Sequence, residues 1–165
     1  MFRALVLASS LAVSLFTLYT AIFGLLTPVL QRSIHIALIL VIAFFLFPLK
    51  QKNKLLRLID YLSIVLIIAS EIYLYIIYGS INERIGYVSL WDIVFGVIYI
   101  VLVLEACRRI VGWALTGIAL IFLAYGFFGF FVPGYFGHEG YSLGRIVTMM
   151  YLTTEGLFGS AASAA

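Results

Sequence analysis

Five stretches of this chain are long and apolar enough to cross a lipid bilayer as helices: residues 4–26, 33–49, 58–78, 90–107 and 111–132. A hydrocarbon core of about 30 Å is matched by about 20 residues of helix rising 1.5 Å each, and a helix satisfies its own backbone hydrogen bonds where no water can. The second stretch is the shortest, and Arg32 and Lys50 flank it where their stems can snorkel to the interface. Composition agrees: 65% of residues are hydrophobic, 10% are charged and the mean hydropathy is +1.20. Soluble chains carry about 25% charged residues. The expected class is therefore an all-α integral membrane protein of about five transmembrane helices, with the remaining residues serving as short connections. The first stretch follows Met1, Phe2 and Arg3 but is too long for a signal-peptide core, and no clear small-residue cleavage site follows, so it reads as a retained anchor. The single cysteine, Cys107, lies inside an apolar stretch and reads as a packing residue.

Orientation follows from the distribution of Lys and Arg around short loops. Lys50, Lys52, Lys54 and Arg57 form the densest basic cluster, between the second and third stretches, and this loop is expected to be cytoplasmic. Alternation then adds Arg3, Arg108 and Arg109, giving seven basic residues on that face against Arg32, Arg84 and Arg145 on the other. The N-terminus is expected inside, and residues 81–89 and 133–142 outside. The net charge of +3 reflects this topology and not nucleic-acid binding.

Charges inside apolar sequence are expensive and call for partners. In VLEACRRIVGW, residues 103–113, Arg108 and Arg109 interrupt more than forty nearly unbroken apolar residues. One helix through the whole run would reach about 60 Å, twice the bilayer core, so two spans broken at the Arg pair are expected. Glu105 then lies one turn inside, three and four residues from the two guanidinium groups and on their face of the helix. Two readings stand: a topological stop with an intrahelical ion pair, or a group that binds a lipid head group or another protein surface. Glu71 is the costliest charge, two-thirds along the third span, with Arg84, Arg32 and His35 as candidate partners. Three roles are open to it: an interhelical ion pair, a neutral carboxyl, or a part in ion or proton movement. Asp92 suits the start of a helix. His35 reads as a polar anchor and His138 as a loop residue.

The chain has no HExxH, CxxC, GxSxG or GxxxxGK[ST] motif, and two histidines with one cysteine do not build a typical zinc site. The sequence therefore argues against an enzyme and for no cofactor in this chain. A membrane enzyme assembled from His35, Glu71 and His138 would need those groups together on one side.

Five segments in order resemble one family: QRSIHIAL (31–38), ERIGYVSLWD with Arg84 and Asp92 (83–92), LEACRRIVG (104–112), FLAYGFFGFFVPGYFGHEGYSLGRI (122–146) and YLTTEGLFGS (151–160). Together they resemble the N-terminal part of the fused permease of tripartite ATP-independent periplasmic (TRAP) transporters, the 4TM/12TM or TAXI type. The resemblance implies a four-helix scaffold domain over residues 1–109, a connecting transmembrane helix over 110–132, and a periplasmic loop with the start of a large permease domain over 133–165. In that family the large domain resembles an elevator and carries the substrate and sodium sites, and a periplasmic solute-binding protein delivers substrate. The chain stops soon after EGLFG, so it is expected to be either a fragment or a separately encoded small subunit lacking those sites. The implied partners are a large permease domain or subunit, the solute-binding protein and membrane lipid, with no nucleic acid. The implied location is the bacterial or archaeal cytoplasmic membrane. Glu71, Arg84, Asp92, Glu105, Arg108 and Arg109 are the residues expected to fix the scaffold and its joins. The competing reading is an independent helical membrane protein conducting ions or protons through Glu71.

Overall fold

The structure, a computed structural model, describes residues 2–23, 27–49, 54–81 and 87–159, with residues 2–10 and 21 described as backbone alone. The described residues form helices and no strand: α1 (Phe2–Phe23), α2 (Pro28–Leu46), α3 (Lys54–Ile77), α4 (Leu90–Ile110), α5 (Trp113–Phe128) and the short α6 (Leu143–Val147). Four are long and apolar enough to cross a membrane, counted with their terminal turns as Pro28–Leu46, Lys54–Ser80, Leu90–Ile110 and Trp113–Phe131. This fits a multi-pass membrane protein. The N-terminal stretch is helical over 22 residues in α1.

Local chemistry shifts several boundaries from those read off hydropathy. α2 begins at Pro28, five residues before the apolar run at Ser33, because extended Thr27 (ψ 152°) precedes a proline in the first turn. It stops at Leu46, since the residue before Pro48 disfavours helical ψ. α4 opens with a capping box: the Asp92 carboxylate accepts from the Ser89 backbone N–H at 2.7 Å. It does not end at the Arg pair. Arg108 and Arg109 are good helix formers whose charge suits the negative end of the helix dipole, so α4 runs on to Ile110. The chain breaks at Gly112, whose φ of +98° is a conformation open to glycine and rarely to other residues. The expected break at the Arg pair thus falls one turn later, where α4 gives way to a separate α5.

The helices pack in sequence, α1 on α2, α2 on α3, α3 and α2 on α4, and α5 against α4. Their buried stripes recur every three or four residues: Leu30, Ser33, Ala37, Leu40 on α2; Ile64, Ile67, Ser70, Leu74 on α3; Asp92, Gly96, Tyr99, Leu102, Ala106 on α4. Small residues recur within these stripes (Ser33, Ala37, Ser70, Gly96 and Ala106), which lets neighbouring helices approach closely, as suits association by packing in lipid. α5 differs: Thr116 is its one buried residue among those described, and the rest of the helix is half-buried or exposed and largely apolar.

Residues 143–159, read from the sequence as the start of a following domain, sit in the core of this bundle. α6 continues as a π turn (Thr148–Leu152), together about 15 Å of helix, or half a bilayer core. Val147, Tyr151, Leu152 and Phe158 are fully buried. Gly96 makes room for them: a Cβ there would lie 2.4 Å from Val147 Cγ1 and 3.3 Å from Tyr151 Cδ1. The Tyr99, Tyr151 and Phe158 rings meet at centroid separations of 5.4–6.2 Å. The Tyr151 hydroxyl donates to the Ser70 carbonyl, and Arg32 Nη1 donates to the Phe158 carbonyl at 2.9 Å. The segment therefore dips into the bundle beside α4 and is fastened to α2, α3 and α4.

Candidate functional site

The bundle holds two polar layers, one at each end. The first is built around Arg109. Its Nη1 donates to Asp60 Oδ1 at 2.6 Å and to the Phe47 carbonyl at 3.2 Å, and its Nε donates to Glu105 Oε1 at 2.8 Å. Its guanidinium carbon stands 4.4 Å from the Phe44 ring centroid. Arg108 forks onto Glu105 with two bonds of 2.7 Å and lies over Trp113 at 5.3 Å. Asp60 Oδ2 accepts in turn from the Leu49 backbone N–H at 3.0 Å. The side chains of Arg109 and Asp60 are 5% and 7% exposed, against 28% and 27% for Arg108 and Glu105. Arg109 thus ties α4 to α3 and to the end of α2, while Arg108 ties the end of α4 to the start of α5. Among these four groups two carboxylates balance two guanidinium groups, so together they bring no net charge to desolvate.

Both guanidinium groups reach Glu105, as the i, i+3 and i, i+4 spacing allows. Sequence reasoning missed Asp60, which the structure makes the principal partner of Arg109. The signal was present: a carboxylate in the first turns of an apolar helix, at the same end as the Arg pair, demands a cation at its own depth. What linear spacing conceals is the partner, 49 residues away.

The second layer lies at the opposite end, where α3 finishes and α2 and α4 begin. Glu71 Oε1 accepts from the Ser33 hydroxyl at 2.6 Å, and Ser33 also reaches the Leu30 carbonyl at 3.1 Å. The ion pair considered for Glu71 is not what forms among the described residues. Arg32 is committed to the Phe158 carbonyl, and His35 Nδ1 faces Thr17 Oγ1 of α1 at 3.4 Å. Arg84 lies outside the described residues. Asp92 is fully buried and accepts from the Tyr73 hydroxyl at 2.5 Å as well as from Ser89, so it joins α3 to α4 beyond capping its own helix. Tyr73 in turn stacks on Phe95 at 4.4 Å. Glu71 Oε2, Ser70 Oγ and the Tyr99 hydroxyl are buried without a hydrogen-bond partner among the described residues.

His138 lies in the loop after α5. It packs edge-on to Tyr125 and parallel to Tyr141, each at 4.9 Å. Among the described residues no group of three or more His, Cys, Asp or Glu side chains is placed to hold a metal. No known family model, curated protein or solved structure matches this chain. What the two layers can do chemically is join helices. In the first, every charged group has a charged partner; in the second, Ser33, Tyr73 and Tyr151 each carry a hydrogen bond from one helix to the next.

Proposed function

We propose that this chain is the membrane scaffold unit of a TRAP-type secondary transporter, a multi-pass bundle in a bacterial or archaeal cytoplasmic membrane that braces a large permease domain carrying the substrate and sodium sites. The observation that carries the reading is the ordered set of five family-like segments, from QRSIHIAL to YLTTEGLFGS. Its physical support is the use of the intramembrane charges. Arg109 with Asp60, Tyr73 with Asp92 and Arg108 over Trp113 each tie one helix to another, and Glu105 holds both guanidinium groups in place, which suits a static brace. In this reading α1 supplies a fifth crossing, the N-terminus is cytoplasmic, and the Arg109 layer lies at the inner surface beside Lys54 and Arg57. α5 leads toward the large domain, and a periplasmic solute-binding protein supplies substrate to the assembled transporter. Purified chain in liposomes should show no sodium-driven uptake by itself and should co-purify with a large permease domain of that family when the two are co-expressed. Robust uptake by this polypeptide alone would overturn the reading.

A second reading, conduction of ions or protons through Glu71, is favoured by the unpartnered Glu71 Oε2, Ser70 Oγ and Tyr99 hydroxyl. Glu71→Gln separates the two. The amide oxygen can still accept from Ser33, so a scaffold keeps its fold and assembly, whereas a conductor loses its flux.

A further inference from the structure

α4 serves as a depth scale for the C-terminal segment. Its 21 residues make a helix of about 31 Å, close to the thickness of a bilayer core, with Asp92 near one end and Arg108 and Arg109 at the other. Tyr99 lies at its middle, between Leu90 and Ile110. The Tyr151 and Phe158 rings meet the Tyr99 ring at 5.4 and 5.8 Å. The turn between them is tight, closed by the Leu157 N–H donating to the Met150 carbonyl at 3.1 Å, so it too lies at mid-bilayer level. α3 agrees: the Tyr151 hydroxyl reaches the Ser70 carbonyl, about 15 Å of helix from the end of that span at Ser80.

The helix has ended at this depth, since Thr153 is extended with ψ 170°. The Thr153 hydroxyl donates to the Met149 carbonyl at 3.0 Å and accepts from the Glu155 backbone N–H at 3.3 Å. The Glu155 carboxylate takes no part in this. Thr154 and Glu155 are exposed, and the carboxylate has no hydrogen bond or ion pair among the described residues. The described Lys and Arg residues stand toward the two ends of the bundle, and Arg32 is committed to the Phe158 carbonyl. Irregular backbone and a carboxylate are not tolerated against lipid tails, and a glutamate is too short to snorkel from mid-bilayer to either surface. Water alone does not meet the need, because on an exposed face of the bundle it requires a further wall of protein to hold it.

We propose that the turn at residues 153–156 is the docking point of another membrane-spanning polypeptide, which sets a cationic side chain against Glu155 near the middle of the bilayer. Charge complementarity selects this partner over lipid, which offers only hydrocarbon at that depth. It also selects against a second copy of this chain, whose described face brings another Glu155 and no free cation to the same level. The requirement is the same for a large permease domain and for any other membrane partner.

The test uses the full chain in nanodiscs, with a synthetic transmembrane helix of leucine and alanine bearing Lys or Leu at its centre as the probe. Energy transfer between labelled chain and peptide should show the Lys peptide bound severalfold more tightly than the Leu peptide. Glu155→Leu should remove that preference with the helical circular dichroism unchanged, and Glu155→Lys should transfer it to a peptide with a central Glu. In a Cys107→Ala background, a nitroxide on Glu155→Cys in the chain alone should be relaxed more by oxygen than by a water-soluble nickel chelate. Equal binding of the Lys and Leu peptides, or a preference unchanged in both charge variants, overturns the proposal. So does relaxation mainly by the nickel chelate, which puts water at the turn. Self-association of the chain that Glu155→Leu abolishes overturns it as well, because the partner is then a second copy.

Discussion

Replacing Gly96 with alanine sets two opposing effects against each other within one helix. Alanine in place of glycine in a helix interior is worth about 1 kcal/mol of helix propensity. Gly117 of α5 isolates that gain, because a Cβ there meets nothing within 4 Å; Gly117→Ala should stabilise by up to about 1 kcal/mol. At Gly96 the same methyl would lie 2.4 Å from Val147 Cγ1 and 3.5 Å from Tyr151 Cβ. Both residues are fully buried, so neither can swing aside. Overpacking of this kind costs about 1–3 kcal/mol, which leaves Gly96→Ala destabilised by about 1 kcal/mol after the propensity gain. The loss should fall on the docking of residues 143–159 and spare the α1–α4 contacts. Val147→Ala alone removes two buried methyls and the packing contacts they make. Combined with Gly96→Ala it relieves the clash, so the double variant should be more stable than the sum of the singles by about 1 kcal/mol or more. The measurement is reversible unfolding in bicelles by steric trapping, with limited proteolysis after residue 140 to localise the loss. If Gly96→Ala stabilises as much as Gly117→Ala, the close packing of the C-terminal segment on α4 is refuted.

The two adjacent arginines should behave very differently. Arg109→Met strands buried Asp60 and should cost about 3–5 kcal/mol, whereas half-exposed Arg108→Met should cost at most about 1 kcal/mol; equal losses on thermal unfolding would contradict the geometry. Arg109→Lys should recover only part of the loss, because one ammonium cannot reproduce a fork that reaches Glu105, Asp60 and the Phe47 carbonyl together. Tyr73→Phe removes a hydroxyl donated to buried Asp92 and should cost about 1.5–3 kcal/mol, with Ser33→Ala comparable if Glu71 is ionised. In a Cys107→Ala background, an impermeant maleimide should label Glu139→Cys from the periplasmic side and Lys54→Cys only after permeabilisation; labelling of both from one side would break the proposed topology.

Hydropathy made the long helices legible, since a run of about 20 apolar residues has few alternatives in a bilayer. Their ends were less so, because Pro28 and Gly112 act through backbone geometry that hydropathy does not register. At Arg108 and Arg109 the charge pattern suggested a break, while helix propensity and the dipole carried α4 onward to Ile110. The polar layers were half readable. Glu105 with its two arginines is a local pattern, visible in i, i+3 and i, i+4 spacing. Asp60 with Arg109, Ser33 with Glu71 and Tyr73 with Asp92 join different helices, and no periodicity announces which faces will meet. The burial of Tyr151 and Phe158 was hidden for a further reason: a span of half the bilayer thickness falls below the length that marks a crossing, so its apolar residues look like those of an interfacial segment.

The Arg109 layer also has an electrical consequence. A transmembrane potential does work of about 2.3 kcal/mol per 100 mV on each elementary charge that crosses the membrane. Asp60 and Glu105 beside Arg108 and Arg109 sum to zero within one hydrogen-bonded cluster, so any displacement of that cluster as a body carries no gating charge. The cluster can sit at the edge of a steep electric field without being pulled by it. Voltage sensitivity in an assembly containing this bundle must then arise from groups other than these four.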